Sequence, residues 1–320
     1  MSNLCRIKLS QIDFDDKRYC FSYPSQSDSL KRFIEKSGVI SPLIVKEKGG
    51  KYSLVSGFRR FRAVADLGVD SVPVQVTDKD DFECFETAVL DNLSTRKLNL
   101  FEVSDILSKL SKVFKIQIDR ILTDYMPLFG YNSYKKTLDR LISLTELSEK
   151  QKEVLFKNNI ESEKILLLPD LDIVVLDNMI GLLVDLKPGL NKFKQIIELF
   201  LEISQREGLR CSDLFKDKEV DSILSDKIRT SSQKLNHLRT YLSARRFPTV
   251  SKKESEFGKK LAKLNIRNDI RLTPPPSFEG KFFDLSFRFK NRQELKEYVR
   301  QLSTLSENEG LDEVIDFCNL

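Results

Sequence analysis

The chain has 320 residues, of which 40% are hydrophobic and 32% charged, with a mean hydropathy of −0.31 and a formal net charge of +5. At about 150 residues per domain this length suggests two domains or three small ones. The charge density excludes a membrane-embedded protein: the richest apolar stretch, Ile165 to Leu186, is broken by Asp170, Asp172, Asp177 and Asp185, so a run of roughly 20 apolar residues is missing.

The opening Met-Ser-Asn-Leu-Cys-Arg-Ile-Lys lacks the apolar stretch of a signal peptide. Cys5 to Leu9 reads as a short strand. Asp28 to Lys36 reads as a helix with Asp28 as N-cap and Gly38 as its stop. Pro42 to Glu47 is β-rich, Lys48-Gly49-Gly50-Lys51 forms a hairpin turn, and Tyr52 to Val55 returns as a strand. Gly57 turns the chain into a helix stopped by Gly68, and Val72 to Val76 is a further strand.

From Asn99 to Leu186 the pattern is helical. Asn99 caps a helix over Leu100 to Phe114, with Val103, Ile106, Leu107, Leu110 and Phe114 on one stripe. Ile118 to Leu128 follows, then a break at Gly130. Tyr131 to Lys136 opens the next helix, whose Leu138, Leu141, Ile142 and Leu144 face inward. A short Gly-containing turn between two helices, the second starting with small polar and basic residues, is helix-turn-helix geometry. Short helices come next at Ser148 to Asn158 and Glu161 to Leu168. Beyond them, helices are expected at Asn191 to Gln205 and Asp221 to Leu242. Pro274-Pro275-Pro276 marks a boundary, followed by a strand from Lys281 to Lys290 and a helix from Asn291 to Leu305. Phe282, Leu285, Phe287 and Phe289 make that strand apolar, either as core against its own helix or as a dimerisation or partner-binding unit. The expected organisation is an α+β module over 1–98, an all-α helix-turn-helix domain over 99–186, and a small, mostly helical region with a strand-helix unit over 187–320.

The five cysteines are scattered singly and form no CxxC pair, which argues against structural zinc and against a disulfide framework. A reduced, cytoplasmic protein is the simplest reading. His237, the single histidine, is expected on an exposed helical face and not in a catalytic centre. Charge is unevenly placed. Lys227 to Arg271 carries thirteen Lys/Arg, Arg245, Arg246, Lys252 and Lys253 among them, against Glu254, Glu256 and Asp269. Such a segment either contacts a polyanion or forms a solvated basic face.

The stretch Tyr52 to Gly68 carries the most chemistry. Arg59, Arg60 and Arg62 fall at a helix start, where free N–H groups and the dipole already make the end positive. They either hold a bound anion, for which N–H groups and guanidinium forks are well suited, or pair with acids such as Asp91 or Glu86. The acids Asp78, Asp80, Asp81, Glu83 and Glu86 cluster in sequence, as a metal-dependent nuclease would need or as a solvated loop and helix face would also show.

Gly38 to Val45 (GVISPLIV), Gly57 to Ala63 (GFRRFRA) and Asp91 to Arg96 (DNLSTR) resemble, in order and spacing, three boxes of the ParB partition-protein family, which read GLLQPI, GERRxRA and ENLQR. Tyr134 to Leu168 resembles that family's DNA-binding helices. The resemblance implies a ParB/sulfiredoxin-like N-terminal module that binds CTP with Mg²⁺, and a helix-turn-helix that docks on a specific double-stranded DNA site. It further implies a homodimer closed by nucleotide, nucleoid association, and a P-loop ATPase as a frequent partner. Carried over by position, Gly57, Arg59, Arg60 and Arg62 hold the triphosphate and Ser41 and Pro42 shape the pocket. Asp91, Asn92 and Arg96 orient phosphate and metal, the ion bridging phosphate oxygens. Phe58 stands where the second box has glutamate, and the shorter Asp91 where the third has one. Losing one carboxylate and retracting another weakens any water-positioning role in CTP hydrolysis. For DNA, the resemblance and the helix start together point to Asn132, Ser133, Tyr134, Lys135 and Lys136. The lysines would meet phosphate or guanine, and Asn132 would read adenine or cap the helix. Two alternatives stay open: a nucleotide-independent transcription regulator on the same fold, and a ParB-like nuclease.

Overall fold

The computed structural model describes residues 3–25, 28–264, 266–267, 269–280 and 282–319, in two compact units, Met1–Ile180 and Gly181–Leu320. The first begins with β1 (Asn3–Lys8), β2 (Ile12–Asp13), α1 (Asp28–Ser37), β3 (Leu43–Lys48), β4 (Lys51–Ser56), α2 (Phe58–Asp66), β5 (Ser71–Thr77) and α3 (Asp81–Thr95). The strands form one mixed sheet in the order β1-β5-β3-β4-β2. β1 runs antiparallel to β5, with Lys8 opposite Ser71, and β3 runs parallel to β5. Gly49 and Gly50 both adopt positive φ (59° and 78°), as a two-residue I′ turn demands, and they fold β4 back on β3 with Lys48 opposite Lys51. Alternating Leu43 and Val45 on β3 and Val72 and Val74 on β5 are fully buried. On β4 the whole run Ser53 to Ser56 is buried, so that strand is covered on both faces. Phe61 and Val64 of α2 and Phe85, Ala88 and Val89 of α3 complete the core. Asp28 is the first residue of α1. The position before it, where a cap would sit, lies outside the described residues.

The helical part opens with α4 (Leu100–Lys112), capped as expected by Asn99, whose side chain accepts from the Phe101 and Glu102 amides. A short α5 (Ile118–Arg120) continues into a wider π-type turn at Ile121–Tyr125 and a 3-10 turn at Pro127–Phe129, ending at Gly130 with φ 80°. The regular helix expected from Ile118 to Leu128 is therefore three short pieces, Pro127 being unable to continue the ladder. Next come α6 (Lys135–Ser143), α7 (Glu149–Lys157) and α8 (Ser162–Ile165). The Ser104 hydroxyl of α4 donates to the Leu141 carbonyl of α6 at 2.5 Å, joining two helices whose Ile106, Leu107, Leu138 and Leu141 are buried. The unit boundary falls inside α9 (Ile173–Leu186).

The second unit contains α10 (Leu190–Glu207), α11 (Cys211–Phe215), α12 (Lys218–Ser225), α13 (Ser231–Arg246), α14 (Pro248–Lys263), β6 (Arg271–Thr273), β7 (Asp284–Ser286), α15 (Arg292–Ser306) and α16 (Glu309–Asn319). Phe193, Ile196, Phe200 and Ile203 of α10 share a buried stripe, and Phe200 stacks on Phe215 at 4.5 Å. The single helix expected over Asp221 to Leu242 is split, because Asp226 accepts from the amides of Ile228 and Arg229 and forms a turn. Phe257, Leu264, Leu272, Phe278, Leu305 and Val314 make a separate small core. The strand expected from Lys281 to Lys290 shrinks to the three residues of β7, which pair with β6. Lys281 lies outside the described residues. Phe282, Leu285 and Phe289 are exposed, which corrects their reading as core. Phe287 is half-buried, its ring lying 4.9 Å from that of Tyr298 on α15.

Candidate functional site

The cleft at the β4–α2 junction starts from one glycine. Gly57 has φ 101° and ψ 23°, and no side chain caps α2. A Cβ there would lie 2.5 Å from Leu43 Cδ2 and 3.3 Å from the Arg60 guanidinium, so only glycine lets the strand turn into the helix this tightly. The turn opens a cleft of about 360 Å³ lined by Ser22, Leu30, Ser41, Gly57, Phe58, Arg59, Arg60, Asp91, Asn92, Thr95 and Arg96. Seven of the nine candidate nucleotide residues meet here; Pro42 and Arg62 do not line it. Of the other lining residues, Ser22 and Leu30 lie in no motif and carry no charge, and Thr95 is an uncharged member of the third box.

The three guanidiniums of the cleft are in different states. Arg60 Nη1 donates to the Ser41 and Pro42 carbonyls at 2.8 and 2.9 Å, and Nη2 pairs with Asp91 at 3.3 Å. Asp91 also accepts from the Ser56 hydroxyl. Arg60 is thus the clamp of the cleft wall, compensated from within. Arg96 forms a bidentate pair with Glu102 at 2.6 and 2.7 Å and donates to Asn92 Oδ1 at 3.1 Å. Arg59 has a buried Nε with no hydrogen-bond partner. Burial lowers the Arg59 pKa, and the neighbouring Arg96 charge lowers it further. The Glu102 carboxylate that pairs Arg96 offsets part of this, but among the described residues no ion pair involves Arg59, so an anion entering beside it is stabilised.

Asp91 is the one carboxylate among the lining residues. Among the described residues no three His, Cys, Asp or Glu side chains converge on a metal position. The donor set therefore fits phosphate oxygens, with any divalent cation held chiefly by the phosphates. The acids between Asp78 and Glu86 are dispersed over structural tasks. Asp80 and Glu83 form the capping box of α3, Asp81 binds Arg18, Lys46 and the Tyr19 hydroxyl, and Glu86 accepts from Tyr125.

At the start of α6, Asn132, Ser133, Tyr134, Lys135 and Lys136 are all exposed. Tyr134 occupies the N-cap position without a side-chain cap bond, so Asn132 does not cap the helix. Its carbonyl instead accepts from the Tyr134 amide at 2.8 Å. In the second unit, Arg245 is held by Glu207 at 2.7 Å and Asp217 at 2.8 Å. Arg246 pairs with Glu202 at 2.8 Å and lies over the Phe247 ring. These two arginines are compensated internally, whereas no ion pair involves Lys252 or Lys253 among the described residues. His237 is half-buried with an unpartnered Nδ1, not exposed as expected. Among the described residues, no helix is long and apolar enough to cross a membrane.

Residues 2–93 match the family model described as the ParB N-terminal domain. The nucleoid occlusion protein of Halalkalibacterium halodurans is 32% identical over 97 residues, covering 30% of this chain and 31% of that protein. The chromosome-partitioning protein ParB of Myxococcus xanthus is 32% identical over 92 residues, covering 29% and 31%. The chain thus spans about a third of the length of these curated relatives. A crystal structure of C-terminally truncated ParB from Caulobacter crescentus complexed with CTP-gamma-S aligns over 55% of this chain and 98% of that one, at 18% identity and a TM-score of 0.27. The similarity to the ParB N-terminal domain thus covers residues 2–93, less than a third of the chain.

Proposed function

We propose that the first unit binds a nucleoside triphosphate, CTP by the family resemblance, in the cleft at the start of α2, and that the chain binds double-stranded DNA at specific sites in chromosome partition or a related DNA-organising task. Arg59 carries this reading: it is a guanidinium with a buried, unpartnered Nε, beside Arg96, in a cleft large enough for a polyphosphate. Charge comes from Arg59, hydrogen bonds from the uncapped first turn of α2 and from Arg96, and the shape of the wall from Gly57 and Arg60. Mg²⁺ would ride on the phosphates near Asp91 and Asn92.

Residues 1–98 act as the nucleotide module and 99–186 as the DNA reader, with Asn132 to Lys136 toward the duplex. The region 187–320 supplies electrostatic affinity through Lys252 and Lys253. The homodimer, the P-loop ATPase partner and the nucleoid location follow from the same resemblance. The nucleotide-independent regulator has one observation on its side, that Arg60 and Arg96 are already paired.

Calorimetric titration with CTP and ATP, each with Mg²⁺, separates the two readings. Expected is CTP binding that ATP does not reproduce and that weakens at least about tenfold in Arg59→Ala, the equivalent of one lost charge-assisted contact. No heat at millimolar CTP overturns the nucleotide reading and leaves the regulator.

A further inference from the structure

Glu102, on the first turn of α4, is fully buried. Its carboxylate accepts four hydrogen bonds: two from Arg96, one from the Tyr23 amide at 3.1 Å and one from the Asn99 amide at 3.0 Å. Capping α4 requires only the last of these. The other three tie the carboxylate to the C-terminal end of α3 and to the segment that begins at Ser22, both of which line the cleft. A buried carboxylate persists only when its lone pairs are filled this completely. The bidentate pair, with Asn92 on the far Nη2 hydrogen, uses three of the five N–H groups of Arg96 and fixes the plane of its guanidinium.

We propose that Glu102 is a positioning residue of the anion site: it holds Arg96 in one orientation at the cleft wall and keeps Ser22 in place through the Tyr23 amide. Resting on the polyphosphate reading of the cleft, this divides the labour. Arg59, without an ion pair among the described residues, supplies charge, and Arg96, neutralised by Glu102, supplies pre-oriented hydrogen bonds without an ordering cost on binding. Glu102 lies on α4, beyond residue 93 where the family match ends, so the site draws on the helical segment as well as on the α+β module that carries Arg96.

The test uses the full chain with Glu102→Gln and Arg96→Lys, titrated with CTP and with inorganic tripolyphosphate, alongside thermal melting and nucleotide-free DNA binding. Gln retains the size of Glu102 and an acceptor for the helix cap but cannot receive the guanidinium fork. Lys retains the charge of Arg96 but lacks its plane. Expected is a loss of about tenfold or more for both ligands and by the same factor, because the missing contact is to phosphate and not to base. DNA binding without nucleotide stays within about twofold, which a general loss of structure would not allow. Tripolyphosphate affinity within about twofold of the unmodified chain, in a variant that melts cooperatively, overturns the proposal. Should Glu102→Gln fail to fold, Arg96→Lys decides alone. If Arg59→Ala loses affinity while Glu102→Gln and Arg96→Lys keep it, the positioning role fails and the polyphosphate reading stands. If the unmodified chain binds neither ligand, both fall.

Discussion

Replacing Gly57 with alanine asks the backbone and the core for two concessions at once. A φ of 101° is a conformation that costs a residue bearing a Cβ about 1–3 kcal/mol. The new Cβ would also lie 2.5 Å from Cδ2 of Leu43, a side chain with 0% exposure on the middle strand of the sheet. Overpacking of that kind typically adds about 1–3 kcal/mol. The sum, about 2–6 kcal/mol, is a large share of the roughly 5–15 kcal/mol that holds a domain together. The Arg60 guanidinium, 3.3 Å from the added atom, would be pushed away from the Ser41 and Pro42 carbonyls, so the cleft would deform even in molecules that stay folded. Urea unfolding of the full chain, followed by circular dichroism, reads the stability term as a lower transition midpoint. An alanine variant unfolding within about 0.5 kcal/mol of the parent would refute the claim that the site rests on a Cβ-free turn packed against Leu43, since surface substitutions alone stay in that range.

Acid should loosen the first unit through Asp81, whose carboxyl is held down to about 2, first by the Lys46 ammonium and also by the Tyr19 hydroxyl and Arg18. Because the folded pKa lies below the unfolded value of 3.8, the contribution is complete above pH 4 and disappears as pH falls through 2. With the side chain 42% exposed, solvent screening keeps it to about 1 kcal/mol. Asp81→Asn should flatten the acid limb of the melting profile between those pH values, and an unchanged limb would count against the assignment. For DNA, Lys252→Ala with Lys253→Ala should reduce the slope of log affinity against log salt by roughly two units, at about 0.9 per phosphate contact. Arg245→Ala should leave the slope alone and lower the melting temperature, because the Glu207 and Asp217 carboxylates lose their shared cation. The reverse pattern would show that Arg245 leaves its partners to bind the duplex.

Much of the α+β module was legible because its signals are local. Gly49-Gly50 spells its own turn, Gly57 and Gly68 bracket α2, and Asn99 announces α4. The division among the arginines was not legible, since Arg59 and Arg60 are neighbours with the same chemistry and only the fold decides which one meets Asp91. Glu102 did carry a signal: Asn99 and Glu102 are spaced as a capping box. That spacing says nothing of Arg96, which comes to the carboxylate through the bend between α3 and α4. In the second unit the failures have simple causes. Asp226 breaks a helical stretch by bonding the amides that follow it. The alternating phenylalanines after Phe282 looked like core because periodicity reports a face and not what covers it. Tyr131 to Lys136 marks where α6 opens, but not that Tyr134 takes the N-cap position in place of Asn132.

The place of β3 in the sheet has a mechanical side. It is bonded along both edges, to β5 and to β4, and Ser41 and Pro42, gripped by Arg60, lead directly into it. Stiffness concentrates in such a strand, and its amides should be among the slowest in the unit to exchange with solvent. Leu30 sits on the surface helix α1 and Ser22 on irregular chain. Breathing of the cleft is consequently lopsided: an arriving guest meets an anvil at Ser41, a flank at Ser22 held through the Tyr23 amide, and a more yielding jaw at Leu30.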